Sequence, residues 1–436
     1  MQSQQIDDEP REKVRKEAGP SPGTASRPDI VSIRLHGFLR VRPSHYCSFD
    51  RPARLTSFIA NLDSQGVAIV PNTLADMIST ADLRGRVLPP ERIGARISGI
   101  AVASSEKTYS QEQVLERLGL KGDAFAEGIF ERCGVHRRHL DLSDEFLADT
   151  LQGRATRIEQ ALLRDSILAI DALEIDPAKI GTVVSASLYS LGCPSLAQRL
   201  VDHYEMDPTT DKYHVTGVGC ASGVPLMKLA AQTLREHPGK QALVVAAESM
   251  SGTLMRATPE DSRAKTVGSA IFGDGCGAAL LSSDPDPDGI PPTPVILASQ
   301  VHQLAGTLDA VRLDFTGTDS HLHLARELPD LAGAGLPAVA EGFLRANHLE
   351  RSDIDHWIIH PGGRRIIENV QTALSLSHED AEISWDALAN HGNVGTPSIL
   401  YVLADTIARR EPAAGERGLM VTIGPGVTVG LMLLSW

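Results

Sequence analysis

Residues 217–248 read GVGCASGVPLMKLAAQTLREHPGKQALVVAAE. This stretch runs from a turn of small residues through a helix-like segment to an apolar strand. A second stretch, HGNVGTPSILYVLADTIARREPAAGERGLMVTIG at residues 391–424, repeats that order with nearly the same length. Two related halves would place the starts of the two helices side by side around a pseudo-twofold axis, where a shared active site could form.

Apolar runs alternate with helix-like stretches along the chain from Ile93 onward. Such alternation favours an α/β architecture of layered sheets and helices. The runs are apolar throughout, which predicts strands buried on both faces. The predicted strands are 97–104, 179–187, 241–249, 277–283, 356–360, 418–424 and 428–434, and the predicted helices are 154–173, 222–236, 331–348, 364–374 and 397–410.

The N-terminal region has a different composition. Residues 1–28 are rich in Gln, Asp, Glu, Lys, Pro and Ser, which is typical of a disordered tail. Residues 29–93 carry short β-like runs among arginines and prolines. We interpret them as an extension that packs on the main body or on a neighbouring subunit, and we assign them no function.

Composition limits the class of function. The formal charge of −14 argues against broad binding to nucleic acid or to anionic membranes, because both need a basic face. No apolar run approaches the roughly 18–20 residues of a membrane span, and no signal peptide is visible. The five cysteines are irregularly spaced and form no CxxC pair. That pattern fits a reducing cytoplasm, and it indicates neither a disulfide framework nor a metal site.

Cys220 is a candidate nucleophile. It lies in Gly-Cys-Ala-Ser-Gly at 219–223, after an extended segment and at the predicted start of a helix. A helix N-terminus favours negative charge, so we expect the pKa of the thiol to be lowered there. The free N–H groups of the same turn could bind an oxyanion. The alternative is a small buried cysteine beside a glycine turn.

Two further polar residues end or begin predicted elements in glycine-rich loops. His360 ends the apolar run HWIIH and precedes Pro-Gly-Gly, so its imidazole is expected to project into a cleft. Asn393 lies in HGNVGTPS, before another helix. Each alone could be structural, as a satisfied histidine or a turn asparagine. Papain-like proteases also use Cys, His and Asn in this order, but their cysteine lies near the mature N-terminus.

Five segments together resemble the type III polyketide synthases of the chalcone synthase type, within the thiolase superfamily. They are VGCASG around Cys220, AIFGDGCGAALL at 270–281, WIIHPGG at 357–363, HGNVGTPS at 391–398 and IGPGVTVG at 423–430. The resemblance covers about residues 94–436. It implies a thiolase-like five-layered αβαβα duplication, with residues 94–286 and 287–436 as the two halves, and a homodimer.

The resemblance also implies a chemistry. Cys220 would accept an acyl starter from a coenzyme A thioester and hold the growing chain. His360 would keep Cys220 ionised and, with Asn393, stabilise the enolate that forms when malonyl-CoA loses CO2. Acyl-CoA and malonyl-CoA, or the corresponding carrier-protein thioesters, are the implied substrates, and no cofactor or metal is implied.

The matching pocket positions depart from the family pattern. Two gatekeeping phenylalanines of the family fall near Leu254 and Leu322. The two leucines would alter the cavity, which is compatible with an aliphatic starter or with a reduced number of extensions. Cys193 matches a residue that reaches across the dimer, although we expect it to pack as a buried thiol. Gly424, Pro425 and Gly426 complete the implied pocket.

The implied coenzyme A site is less basic than is usual in the family. Arg132 matches a basic contact, while two other basic positions fall near Phe125 and Gly128. Arg364 and Arg365 could compensate, because guanidinium groups suit phosphates; solvent-exposed surface positions are the alternative.

Two other functions stay open at this point. One is a ketoacyl synthase III-like enzyme that performs a single condensation and releases a β-keto product. The other is a non-catalytic partner subunit of a condensing enzyme, which the complete Cys, His and Asn set argues against.

Overall fold

The computed structural model describes residues 91–105, 107–190, 192–254, 263–283, 293–316 and 319–436. The predicted tail at 1–28 and nearly all of the predicted extension at 29–93 lie outside these residues. The predicted boundary between the two halves, at 286/287, also lies outside them. The division into these segments therefore stays a prediction.

Thirteen strands form in the described part of the chain. They are β1 Glu91–Ala103, β2 Thr108–Ser110, β3 Arg137–His139, β4 Ile180–Ala186, β5 Asp211–Val215, β6 Gln241–Glu248, β7 Gly275–Ser282, β8 Val295–Gln303, β9 Val311–Thr316, β10 Asp319–Leu324, β11 His356–Ile359, β12 Arg417–Gly424 and β13 Thr428–Ser435.

Eleven α-helices form in the same residues. They are α1 Gln111–Arg117, α2 Ala124–Arg132, α3 Asp144–Ala148, α4 Leu151–Asp171, α5 Leu196–His203, α6 Gly223–Thr233, α7 Arg263–Ile271, α8 Leu328–Ala346, α9 Arg364–Leu374, α10 His378–His391 and α11 Ser398–Arg410. None of the described helices is both long and apolar enough to cross a membrane.

Nine strands pair in the order β11-β12-β13-β8-β1-β7-β6-β4-β5. β4 pairs in parallel with β5 and β6, whereas β7, β1, β8 and β13 join antiparallel neighbours. β1 and β8 connect the two ends of the sheet, with Ala95 opposite Ile296. The sheet therefore continues from the N-terminal to the C-terminal part of the chain.

Helices cover both faces of this sheet and also separate its two ends. α4 contacts β1, β6 and β7, and α5 contacts β4 and β5. α6 and α11 contact strands from both ends of the sheet, so they form a central layer. α8 packs on β13 and against α9 as the opposite outer layer. The five alternating layers confirm the predicted thiolase-like fold class.

On β4, successive residues point to different layers and are all buried. Val183 belongs to the apolar cluster under α4 and α5, and Val184 belongs to the cluster around α6 and α11. Both side chains are inaccessible to solvent. This two-sided burial explains why the strand sequences are apolar throughout rather than alternating.

The two central helices begin in close contact, as the internal repeat predicts. A methyl group added at Gly223, the first residue of α6, would collide with Cγ2 of Ile399 on α11. Only glycine permits this approach. The turns that precede both helices are thereby brought together.

Candidate active site

Cys220 lies in a short 3₁₀ turn, Gly219–Ala221, directly before α6. Gly219 has a φ of 57°, a left-handed conformation that glycine adopts readily. Cys220 is half-buried, but its sulfur is surrounded by protein. Burial raises the pKa of the Cys220 thiol to about 11, although its hydrogen bond with Asn393 opposes the rise.

This result corrects the lowered pKa that the sequence predicted for Cys220. The helix N-terminus is present, but the sulfur is desolvated, and desolvation disfavours the charged form. The negative charge of nearby Glu248 raises the pKa further. With a pKa of about 11, the thiol is protonated at neutral pH.

Asn393 lies beside Cys220. Its Nδ2 is 3.6 Å from the sulfur, and its Oδ1 is 3.7 Å from the same atom. Oδ1 accepts hydrogen bonds from the Gly395 N–H at 2.9 Å and from the Ser398 hydroxyl at 3.2 Å. Because both groups are donors, they fix the oxygen end of the amide and leave Nδ2 to donate toward the site.

His360 follows β11, and its imidazole is 2% exposed. Among the described residues, neither Nδ1 nor Nε2 has a hydrogen-bond partner. Burial lowers the pKa of His360 to about 3, so the ring is neutral. A neutral imidazole carries one N–H donor and one acceptor nitrogen, and both remain available to a substrate or to a thiol proton.

Gly362 connects the imidazole with the amide. A side-chain carbon at this position would lie 3.1 Å from Cδ2 and 3.2 Å from Nε2 of His360. The carbonyl of Gly362 accepts a 3.3 Å hydrogen bond from Nδ2 of Asn393. Cys220 and Asn393 are therefore in contact, and the His360 imidazole lies against Gly362, whose carbonyl binds the Asn393 amide.

The Gly424-Pro425-Gly426 turn packs directly on the nucleophile turn. A methyl group at Gly424 would collide with the backbone of Ala221, and one at Gly219 would lie 3.1 Å from Cγ of Pro425. Gly426 has a φ of 64°, and its carbonyl accepts a 2.8 Å hydrogen bond from the Thr307 hydroxyl. The glycines thus allow two turns to meet at the site.

The other predicted pocket residues lie in different environments. Leu254 is 2% exposed within an apolar cluster, and its carbonyl accepts a hydrogen bond from Arg154. Leu322 pairs with Leu313 in the hairpin of β9 and β10. Cys193 is exposed, so the expectation that it packs as a buried thiol is wrong. Pocket roles for these three residues stay predictions.

The predicted coenzyme A arginines lie near the end of α2. Arg132 and Arg365 are exposed, and neither forms an ion pair within the described residues. Arg364 is also exposed and forms a 2.8 Å ion pair with Glu368. A side-chain carbon at Gly134 would lie 3.5 Å from Cβ of Arg364, which brings α9 beside the residues that follow α2.

Glu248 is a candidate site residue that sequence reasoning missed. It ends β6, is 2% exposed, and accepts hydrogen bonds from the Thr396 hydroxyl at 2.6 Å, the Ser187 hydroxyl at 3.2 Å and the Leu188 N–H at 3.0 Å. Burial raises the pKa of its carboxyl to about 7. A charged residue at the end of a wholly apolar strand was the available signal, because carboxylates are rarely buried without a reason.

Comparisons with known proteins agree with this fold. Residues 95–290 match the family described as FAE1/Type III polyketide synthase-like protein, and residues 296–435 match the chalcone and stilbene synthases, C-terminal domain. An alpha-pyrone synthesis polyketide synthase-like protein of Mycobacterium tuberculosis is 30% identical over 80% of this chain and 92% of its own length. A 3,5-dihydroxyphenylacetyl-CoA synthase of Amycolatopsis balhimycina is 29% identical over 78% of this chain and 93% of its own length.

A solved structure extends the comparison to the fold. The crystal structure of PKS-I from the brown alga Ectocarpus siliculosus aligns with a TM-score of 0.71, covering 79% of this chain and 99% of the other at 24% identity. The fold, the matched family segments and the relatives therefore agree. The chain belongs to the type III polyketide synthase family and is a condensing acyltransferase.

Proposed function

We propose that the chain catalyses decarboxylative condensation of malonyl-CoA units onto an acyl starter carried as a thioester on Cys220. The observation that carries this proposal is the fixed amide of Asn393, whose Nδ2 lies 3.6 Å from the sulfur. An amide donor held beside a nucleophile can stabilise an enolate oxygen without the repulsion that a carboxylate would cause.

The first step loads the starter. The thiol is protonated at rest, so His360 acts as a general base: the Cys220 proton moves to the imidazole as the sulfur attacks the acyl thioester. The imidazole then returns that proton to the departing coenzyme A thiolate. Its two free ring nitrogens support this assignment.

The second step forms the carbon–carbon bond. The malonyl carboxylate leaves as CO2, and its bonding electrons form an enolate whose oxygen accepts hydrogen bonds from Asn393 and from the N–H of neutral His360. The enolate carbon attacks the Cys220 thioester, and the sulfur departs. Each cycle lengthens the chain by two carbons.

A few relatives suggest the kind of product. Their names include an alpha-pyrone synthesis protein and a 3,5-dihydroxyphenylacetyl-CoA synthase. We propose several extensions followed by closure to a pyrone or resorcinol ring. Leucines at positions 254 and 322 favour an aliphatic starter.

We propose that coenzyme A binds along α2, with Arg132, Arg364 and Arg365 near its phosphates. The guanidinium of Arg132 folds back over Gly128, because a carbon added there would lie 2.8 Å from its Nη2. The guanidinium of Arg263 lies 4.9 Å from the ring centre of Phe125. These contacts bring positive charge to the two positions of α2 that lack a basic side chain of their own.

We also propose that the enzyme is a cytoplasmic homodimer. Among the strands of the described residues, β5 is the last of the sheet, and Tyr213 on it is 38% exposed. An open strand edge is a ready site for pairing with another copy. Free thiols at all four described cysteines are compatible with a reducing compartment.

The test is turnover of labelled malonyl-CoA with aliphatic and aromatic acyl-CoA starters, followed by mass spectrometry of the products. Several two-carbon additions with ring closure are expected. A single addition released as a β-keto product would instead indicate the ketoacyl synthase III-like alternative. Absence of CO2 release with every starter would contradict the proposed reaction.

A further inference from the structure

Arg138, in the middle of β3, is fully buried although it carries a charge. Burial lowers the pKa of its guanidinium to about 10, so it is protonated at neutral pH. No described carboxylate forms an ion pair with it. A buried cation without such a pair needs a specific set of acceptors to offset its desolvation.

Two of its three acceptors are at the C-terminal end of α7, and the third is the side chain of Gln111 on α1. Nη1 of Arg138 donates hydrogen bonds to the carbonyls of Ser269 and Phe272, each at 2.7 Å. Nη2 donates to Oε1 of Gln111 at 2.7 Å, and Nε2 of Gln111 donates to the Ala270 carbonyl at 2.9 Å. The last carbonyls of a helix lack intrahelical partners, and a cation there is favoured by the helix dipole.

The same helix end holds the backbone of Asn393. The N–H of Asn393 donates to the Ile271 carbonyl at 2.7 Å, and the N–H of Gly273 donates to the Asn393 carbonyl at 3.1 Å. A carbon added at Gly392 would lie 3.1 Å from Cγ of Arg138 and would collide with the Ile271 carbonyl. Arg138 therefore lies against the two segments that fix the position of Asn393.

We infer that Arg138 is a positioning residue for Asn393: it holds the end of α7 in the geometry that aims the Asn393 amide at the substrate. This inference rests on the proposed function and adds a residue that does not touch the substrate itself. Lysine cannot replace it, because a single ammonium group lacks the planar set of donors that reaches three acceptors at once.

Arg138→Lys tests the inference through two separate steps of the reaction. We expect CO2 release from malonyl-CoA to fall about a hundredfold, the cost of a misplacement of about 1 Å. Loading of Cys220 by acyl-CoA, followed by mass spectrometry, should fall by no more than about threefold, because this step depends on Asn393 only through its hydrogen bond to the sulfur. A parallel loss of both steps, or no loss of CO2 release, would overturn the inference.

Gln111→Leu is the milder second variant, because Gln111 is partly exposed and yet joins Arg138 to the same helix end. Gln111→Leu should also reduce CO2 release more than it reduces loading of Cys220, but by a smaller factor than Arg138→Lys. Arg351→Lys is the matched control: Arg351 donates to the Leu374 carbonyl at the end of α9, away from Asn393. It should leave both steps unchanged.

A crystal structure of Arg138→Lys provides a readout that does not need activity. The distance between Asn393 Nδ2 and Cys220 Sγ, now 3.6 Å, should increase. An unchanged distance would overturn the inference even if the reaction is as proposed. Conversely, a displaced amide together with no CO2 release from the unaltered chain would support the positioning role and contradict the proposed function.

Discussion

The hydroxyl of Thr396 donates a 2.6 Å hydrogen bond to the buried carboxylate of Glu248. The same hydroxyl lies 3.3 Å from the carbonyl of Gly219, next to the candidate nucleophile. Thr396 therefore joins a titratable group at the end of β6 to the loops that carry Cys220 and Asn393. The charge on Glu248 should therefore affect the pKa of the Cys220 thiol.

The first prediction concerns that charge. In Glu248→Gln we expect the pKa of Cys220 to fall, because the neighbouring negative charge raises it. The measurement is the pH dependence of Cys220 alkylation by iodoacetamide, followed by peptide mass spectrometry. Glu159→Gln, at a glutamate that binds the Ser190 hydroxyl and Arg199, is the control. A midpoint that stays in place or rises would contradict this prediction.

The second prediction is a pH dependence of stability. Burial raises the folded-state pKa of Glu248 from 4.5 to about 7, so the folded protein keeps a proton that the unfolded chain has lost. The free energy of unfolding should therefore decrease as the pH rises from about 4.5 to about 7. Asp274, whose pKa burial also raises to about 7, contributes in the same direction. Urea unfolding at several pH values should show a shallower decrease for Glu248→Gln, and an equal decrease would count against it.

The third prediction concerns the resting thiol. With a thiol pKa of about 11 and a His360 pKa of about 3, the Cys220 alkylation rate should rise about tenfold per pH unit between about pH 7 and pH 9. Exposed Cys193 provides an internal comparison in the same sample. A plateau near neutral pH would show instead that a thiolate and an imidazolium are already present.

The fourth prediction tests the amide. Asn393→Asp places a carboxylate where the enolate charge develops, and we expect CO2 release to fall by about a hundredfold or more. Asn390→Asp is the matched control, because Asn390 lies near the end of α10 and its side chain hydrogen-bonds to the Asp386 carbonyl and to Arg137. Equal activity in the Asn393 variant would remove the amide from the mechanism.

The fifth prediction concerns how the coenzyme A part of malonyl-CoA binds. Arg132→Gln should raise the KM for malonyl-CoA by about tenfold, because one charge-assisted phosphate contact is lost. Its KM for malonyl-pantetheine, which lacks the nucleotide, should not change. Arg345→Gln, at an exposed arginine in the last turn of α8, is the control. If only a carrier-protein thioester is turned over efficiently, the coenzyme A site is misassigned.

The sequence was most informative where burial is uniform. Apolar runs located the strands β4, β6, β7, β12 and β13 to within one or two residues, because both faces of these strands are covered. β8 was missed: Leu297 and Val301 on it are partly exposed, so its pattern is mixed. The short helix α5 was also missed, because its apolar face spans only eight residues.

The sequence indicated which residues form the candidate site, but it did not indicate their pKa values. Glycine-bounded junctions indicated Cys220, His360 and Asn393. The pKa of Cys220 depends on how completely the sulfur is desolvated and on the charge of Glu248, which come from distant segments. The sequence did not indicate the role of Arg138, because a sequence alone does not distinguish a buried arginine from an exposed one.

The tight approach of Gly223 to Ile399 has a consequence for how such an enzyme can change. The nucleophile and the amide lie just before these two helices, so a change in the spacing between the helices would move Cys220 relative to Asn393. Substitutions in this buried layer could change the catalytic rate without altering a residue that contacts the substrate. Cavity-lining residues can therefore change during selection for new products, while the contact between Gly223 and Ile399 restricts substitutions in both helices.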